Sequence, residues 1–80
     1  MARLLFLGRL EDVAGTAEMN LSLPRPTSLP GLLDLLPPAL AEALSGPRVR
    51  LALNGGLVRA EDVSVADGDE LAFLPPVSGG

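Results

Sequence analysis

The most apolar short segments of this 80-residue chain lie at its two ends, as Arg3-Leu-Leu-Phe-Leu7 and Glu70-Leu-Ala-Phe-Leu74. Both read as strands, and each is apolar on both of its alternating faces, apart from the charged residue that opens it. A strand of that kind belongs in the interior of a sheet, where neighbours cover it on two sides. Eighty residues make one small domain with room for one core, so both segments must share it. The expectation is a sheet whose first and last strands lie side by side at its centre, parallel to one another.

The sequence between them must supply the outer strands and a covering layer. Arg9–Ala14 has helical spacing at Leu10, Val13 and Ala14, with Gly15 as a left-handed cap, and predicts one or two turns of helix. Thr16–Leu23 alternates Ala17, Met19, Leu21 and Leu23 against polar residues, the pattern of a half-buried strand that Pro24-Arg-Pro26 ends. Ser28 is a good N-cap for a helix whose Leu29, Leu32, Leu33 and Leu36 form one stripe. Pro37-Pro38 interrupts that helix, and a second short one, Pro38–Leu44, carries Leu40, Ala43 and Leu44. Arg48–Leu53 alternates again, and Asn54-Gly55 marks a hairpin returning through Leu57-Val58. Glu61–Ala66 reads as a turn or single helical turn, and Ala66-Asp-Gly-Asp69 as a tight turn. Two hairpins with a helix between them give an α+β β-grasp (ubiquitin-like) domain: a mixed sheet of four to five strands wrapped around one main helix. The domain is expected to span residues 1–74, with 75–80 as an extended tail.

Composition removes whole classes of chemistry. The chain has no cysteine and no histidine, so disulfides, thiolate metal sites, persulfide carriage on a side chain and histidine-based catalysis are excluded. The carboxylates of Asp67-Gly-Asp-Glu70 suit a solvated turn before a strand far better than a metal ligand set. All six basic residues are arginine, which leaves no amine for Schiff-base chemistry. A net charge of −4 argues against nucleic acid as a partner. No signal peptide and no apolar run of about 20 residues is visible, which predicts a cytoplasmic protein with no membrane association.

Strand parity then separates core from surface. Leu4, Phe6, Leu71 and Phe73 share the face toward the core, while Leu5, Leu7, Ala72 and Leu74 form an apolar patch on the outer face, with Leu57 nearby. Contiguous exposed apolar surface on a small domain marks a partner site. Past that patch, Pro75-Pro76 stops the last strand and stiffens the exit, and Gly79-Gly80 closes the chain with bare backbone.

Three segments together carry a family resemblance: Leu4-Leu-Phe-Leu7 with Val13-Ala-Gly-Thr16; Leu53-Asn-Gly-Gly-Leu-Val58; and the uninterrupted Asp67-Gly-Asp-Glu-Leu-Ala-Phe-Leu-Pro-Pro-Val-Ser-Gly-Gly80. In these the chain resembles the small, sulfur-carrying subunit of molybdopterin synthase, the MoaD type of ubiquitin-like protein. The middle, Pro24–Pro47, matches in helical character only. The resemblance implies that Gly80 is the reacting group: an adenylyltransferase of the ubiquitin-activating kind would use ATP to adenylate it, and sulfur would convert it to a thiocarboxylate. It implies that Gly79 threads a narrow channel, and that Leu7, Leu57, Leu74, Pro75, Pro76 and Val77 contact the partner. That partner would be the large synthase subunit, in a heterotetramer. The chain itself would bind no cofactor and would not be an enzyme on its own. A sulfur carrier for thiamine thiazole synthesis and a ubiquitin-like protein modifier are the two alternatives.

Overall fold

The computed structural model describes residues 1–76; Val77, Ser78, Gly79 and Gly80 lie outside the described residues. The elements run β1 (Ala2–Phe6), α1 (Arg9–Ala14), β2 (Glu18–Leu21), α2 (Leu29–Leu33), α3 (Pro38–Leu44), β3 (Arg50–Leu53), β4 (Gly56–Val58), a 3₁₀ turn (Ala60–Asp62) and β5 (Glu70–Leu74). The sheet has five strands in the order β2-β1-β5-β3-β4. Its central pair, β1 and β5, is parallel and in register from Arg3 opposite Glu70 to Phe6 opposite Phe73. The other neighbours are antiparallel. This is the β-grasp order expected for two end strands that are apolar on both faces.

The parity argument places the core correctly. Leu4, Phe6, Leu71 and Phe73 are all essentially inaccessible to solvent, and the Phe6 and Phe73 rings stack at 5.8 Å between centroids. Stacked pairs of this kind add about 0.5–1.5 kcal/mol to what their burial contributes. Against this floor pack Leu51 of β3 and the leucines of the helical layer, Leu29, Leu32, Leu36, Leu40 and Leu44.

That layer is split at Pro37-Pro38, as the sequence predicts, and neither half is long. The covering layer is two short helices, α2 of five residues and α3 of seven. Ser28 caps α2 as expected, accepting the Gly31 N–H at 3.4 Å. After Leu33 the chain tightens, with the Leu35 and Leu36 N–H groups bonding the carbonyls of Leu32 and Leu33, three residues back. Pro37 and Pro38 have no N–H to continue the ladder, so the helix restarts at Pro38 on a new axis. The leucine stripe survives the break because Leu36 and Leu40 are both buried.

Strand ends also shift. β2 is only Glu18–Leu21, β1 begins at Ala2 and stops at Phe6, and β3 starts at Arg50. Val13 is half exposed although its spacing from Leu10 suggested burial. The stretch read as a turn or single helical turn over Glu61–Ala66 opens with the 3₁₀ turn and then puts two residues into the core. Val63 and Val65 are buried, and Val65 exchanges backbone hydrogen bonds with Thr27 at 2.8 and 2.9 Å. Among the described residues no helix is long and apolar enough to cross a membrane.

The hairpin turn at Asn54-Gly55 has positive φ at both residues, 50° and 87°, as its sequence demands. Its side chain also ties two loops together. Asn54 Oδ1 accepts the Glu70 N–H at 2.9 Å, and its amide donates to Asp69 Oδ1 at 3.1 Å. Asp69 Oδ2 accepts the Ala66 N–H at 2.9 Å, and Asp67 Oδ1 accepts that of Leu23 at 2.8 Å. These carboxylates are thus occupied in holding the turn before β5.

The Ala66 N–H, and after it the Asn54 amide, hold the Asp69 carboxyl below the usual carboxylate range. A depressed carboxylate stabilises the fold fully above its unfolded pKa of about 4 and loses that contribution as pH falls through the lower folded value. Thermal unfolding of Asp69→Asn should therefore show its largest deficit against wild type near neutral pH, closing as pH drops below about 4. A deficit of equal size across the acid range would mean that the ionised carboxylate is not what holds the turn.

Candidate functional site

The chain leaves its last strand at Leu74, and the geometry around that exit is set by β1. The Leu7 N–H donates to the Phe73 carbonyl at 3.1 Å, one residue beyond the paired part of β1, so the strands stay together up to the exit. The chain then turns sharply at Gly8, with φ 55° and ψ −136°, a conformation open almost only to glycine. A Cβ at Gly8 would sit 2.8 Å from Pro75 Cγ. The bare backbone of Gly8 is therefore the floor on which Pro75 rests. Proline holds φ near −65° and cannot donate to a ladder, so β5 ends at Leu74 and Pro75 and Pro76 leave the sheet.

The outer face of the sheet is layered by register. Glu18, Leu5, Ala72, Ala52 and Leu57 form one row across all five strands. Closer to the exit, Leu7 lies beside Leu74, and Arg50 pairs with Leu74 on the other side. Farther from the exit the row is polar, with Arg3 Nη2 at 3.0 Å from Glu70 and Arg3 Nη1 at 3.8 Å from Glu18. The apolar patch is thus bounded by ion pairs at one end and opens toward the tail at the other. Leu57 is 74% exposed and Leu7 41%, while Leu5, Ala72, Leu74 and Pro75 are half-buried and Pro76 is exposed. The structure therefore gathers Leu7, Leu57, Leu74, Pro75 and Pro76 on one side of the molecule, at and around the exit. Val77, Gly79 and Gly80 lie outside the described residues.

Two grooves flank the exit, of about 620 and 340 Å³, and Pro75 and Pro76 border both. The larger runs between the Gly46–Val49 loop and the Val58–Ala60 segment; the smaller reaches Arg9 and Leu10 of α1. Arginines stand in the walls, and among the described residues neither groove has a carboxylate in its lining. The one hydroxyl in their described lining, Ser45, donates to the Glu42 carbonyl at 2.9 Å, with no histidine, cysteine or carboxylate beside it in that lining to act as a base; among the described residues no group of three acidic side chains could hold a metal ion. What this side of the molecule offers is contact, shape and charge.

Three contributors escaped the sequence reading. Ala52 lies between Ala72 and Leu57 and connects the patch to its expected neighbour, and strand pairing alone reveals it. Gly8 is missed because nothing local shows that Pro75 packs on it. The arginines around the exit come from three separate stretches, Arg9, Arg48 with Arg50, and Arg59, and nothing local shows that they border the same grooves.

Comparison with known proteins follows the same outline. The sequence profile described as the ThiS family matches residues 4–80. Among solved structures, SAMP1 from Haloferax volcanii is 26% identical with a TM-score of 0.76, over 99% of this chain and 98% of that one. The small archaeal modifier protein 1 of Methanosarcina acetivorans is 28% identical with a TM-score of 0.75, over 99% and 95%. The complex of subunits 1 and 2 of the molybdopterin-converting factor from Helicobacter pylori contains a chain 26% identical, with a TM-score of 0.68, over 99% and 97%.

The close approach at Gly8 can be isolated by comparison with Gly15, which has a φ of 77° but nothing within 4 Å of a built Cβ. Gly15→Ala should cost only the left-handed backbone penalty of about 1–2 kcal/mol. Gly8→Ala should cost more, about 2–3 kcal/mol, because Pro75 must also move. Urea unfolding measures both; equal costs would show that Pro75 does not depend on Gly8.

Proposed function

Because the chain belongs to the ThiS family of ubiquitin-like sulfur carriers, we propose that it is the sulfur-donating small subunit of a molybdopterin synthase. The observation that carries this reading is the likeness, along nearly the whole chain, to a protein solved as a complex of the two molybdopterin-converting subunits. The apolar face around Leu7, Leu57 and Leu74 is then the docking surface for the large subunit and, in an earlier step, for an ATP-dependent adenylyltransferase. A heterotetramer of two small and two large subunits is the assembly that goes with this reading.

In this scheme the Gly80 carboxylate attacks the α-phosphate of ATP and pyrophosphate leaves, giving an acyl-adenylate. A hydrosulfide equivalent then attacks the acyl carbon and expels AMP, leaving a thiocarboxylate. Its sulfur is largely ionised near neutral pH and is the nucleophile toward the pterin precursor; hydrolysis afterwards returns Gly80 as carboxylate. The chain contributes presentation rather than catalysis. Docking makes the sulfur's attack effectively unimolecular, which can replace a very high concentration of free sulfide. Pro75 and Pro76 aim the tail, and Gly79 and Gly80 carry no Cβ to obstruct a narrow channel. On this reading the protein binds no cofactor itself, is not an enzyme alone, and works in the cytoplasm.

A second reading, attachment of Gly80 to lysines of other proteins, is supported by the likeness to two archaeal modifier proteins. A carrier for thiamine thiazole synthesis would share the same thiocarboxylate. Conjugates detected by immunoblot, or co-purification with thiazole synthase, would favour these over the pterin pathway.

Incubation with the activating enzyme, ATP and a sulfur source should raise the intact mass by the difference between sulfur and oxygen. Deleting Gly80 should abolish molybdopterin formation with no change in melting temperature; full synthesis by the deletion would sink the carrier reading. Leu57→Glu should alter stability by no more than about 0.5 kcal/mol. It should nevertheless weaken large-subunit binding at least about tenfold, roughly 1.4 kcal/mol. Unchanged affinity in calorimetry would remove Leu57 from the interface.

A further inference from the structure

The protein carries a net charge of −4, yet four of its six arginines, Arg9, Arg48, Arg50 and Arg59, stand in the walls of the two grooves that flank Pro75 and Pro76. All four are exposed, and among the described residues none is in an ion pair or donates a side-chain hydrogen bond. Arg3 shows the contrast: it sits in the polar row and is paired with Glu18 and Glu70. The four groove arginines come from three stretches, Arg9 of α1, Arg48 and Arg50 around the start of β3, and Arg59 after β4, which the fold brings to the same two grooves. They border the apolar patch, with Arg50 directly opposite Leu74. An apolar centre with a charged rim is the anatomy of a protein interface.

We propose that these four arginines form a cationic collar that docks on carboxylates around the mouth of the channel that receives the tail, on the adenylating enzyme. This deepens the sulfur-carrier reading and rests on it. Charge complementarity chooses the occupant. A single-stranded nucleic acid would need exposed aromatic rings for stacking, but the only two aromatic residues, Phe6 and Phe73, are buried. A small anion would need the guanidinium groups to converge, whereas these are spread over both grooves. An acidic protein rim fits a spread collar, and its field acts before contact. The collar turns the tail toward the channel during approach and raises the productive association rate.

The test uses the full-length protein, the purified adenylating enzyme, ATP and a sulfur source. Association is followed by stopped-flow fluorescence with the enzyme labelled, and loading by intact mass. At low ionic strength the double variant Arg48→Gln/Arg59→Gln should associate about tenfold more slowly than wild type. That gap should vanish at about 1 M salt, where charges are screened beyond ~3 Å. Arg48→Lys/Arg59→Lys should restore most of the rate, and all variants should keep the wild-type melting temperature. If wild type loads sulfur but the Gln variant associates equally fast at low salt, the collar is wrong and the carrier reading stands. A Lys variant as slow as the Gln variant would also overturn it, because charge would not be the cause. If wild type is never loaded, the carrier reading itself falls and the collar's assignment falls with it. Salt-sensitive binding to single-stranded oligonucleotides or to a second copy of this chain, in place of the enzyme, would assign the arginines elsewhere.

Discussion

The parallel pairing of β1 with β5 is the contact on which the rest of this structure depends. It brings the two ends of the sequence together at the centre of the sheet, with Leu4 beside Leu71 and Phe6 beside Phe73. Parallel neighbours cannot be joined by a tight turn, so everything between them must cross over and return. The two hairpins complete the sheet on either side, and the helical layer closes the core. The same pairing determines where the tail leaves, because the Leu7–Phe73 hydrogen bond holds the strands together until Gly8 turns away beneath Pro75.

The domain is built from short pieces, and that has a consequence for how it is held. With helices of five to seven residues, no element is stable alone, since isolated helices shorter than about 12–15 residues are marginal in water. Stability comes from the shared leucine core and from side-chain ties such as Asn54 to Asp69 and Glu70. These ties hold the edge of the sheet far from Pro75, while among the described residues the arginines around the exit have no ion-pair partner and Leu7 and Leu57 stay exposed. Polar groups are satisfied where the fold needs rigidity and left open where a partner would arrive.

Much of this was legible from local pattern. Strand parity sorted Leu4, Phe6, Leu71 and Phe73 from Leu5, Leu7, Ala72 and Leu74, because alternation is a property of the extended chain itself. Asn54-Gly55 announced its hairpin, Ser28 its helix, and Pro75-Pro76 the end of β5, each through the backbone angles those residues permit. The break at Pro37-Pro38 and the second helix from Pro38 to Leu44 were visible as well, through proline's missing donor. How early α2 ends, at Leu33, was not. The burial of Val63 and Val65 was not legible, since it depends on a bridge to Thr27, far away in sequence.

The sequence alone determined the kind of fold, the inward and outward faces of its strands, and a terminus of bare backbone beyond two prolines. These follow from short-range sterics and from periodicity, which act within a few residues. Tertiary structure decided what surrounds the exit. Gly8 lies under Pro75, Ala52 joins Leu57 to Ala72, and arginines from three stretches line the grooves beside Pro75 and Pro76, because contacts between segments distant in sequence exist only once strands have chosen their neighbours.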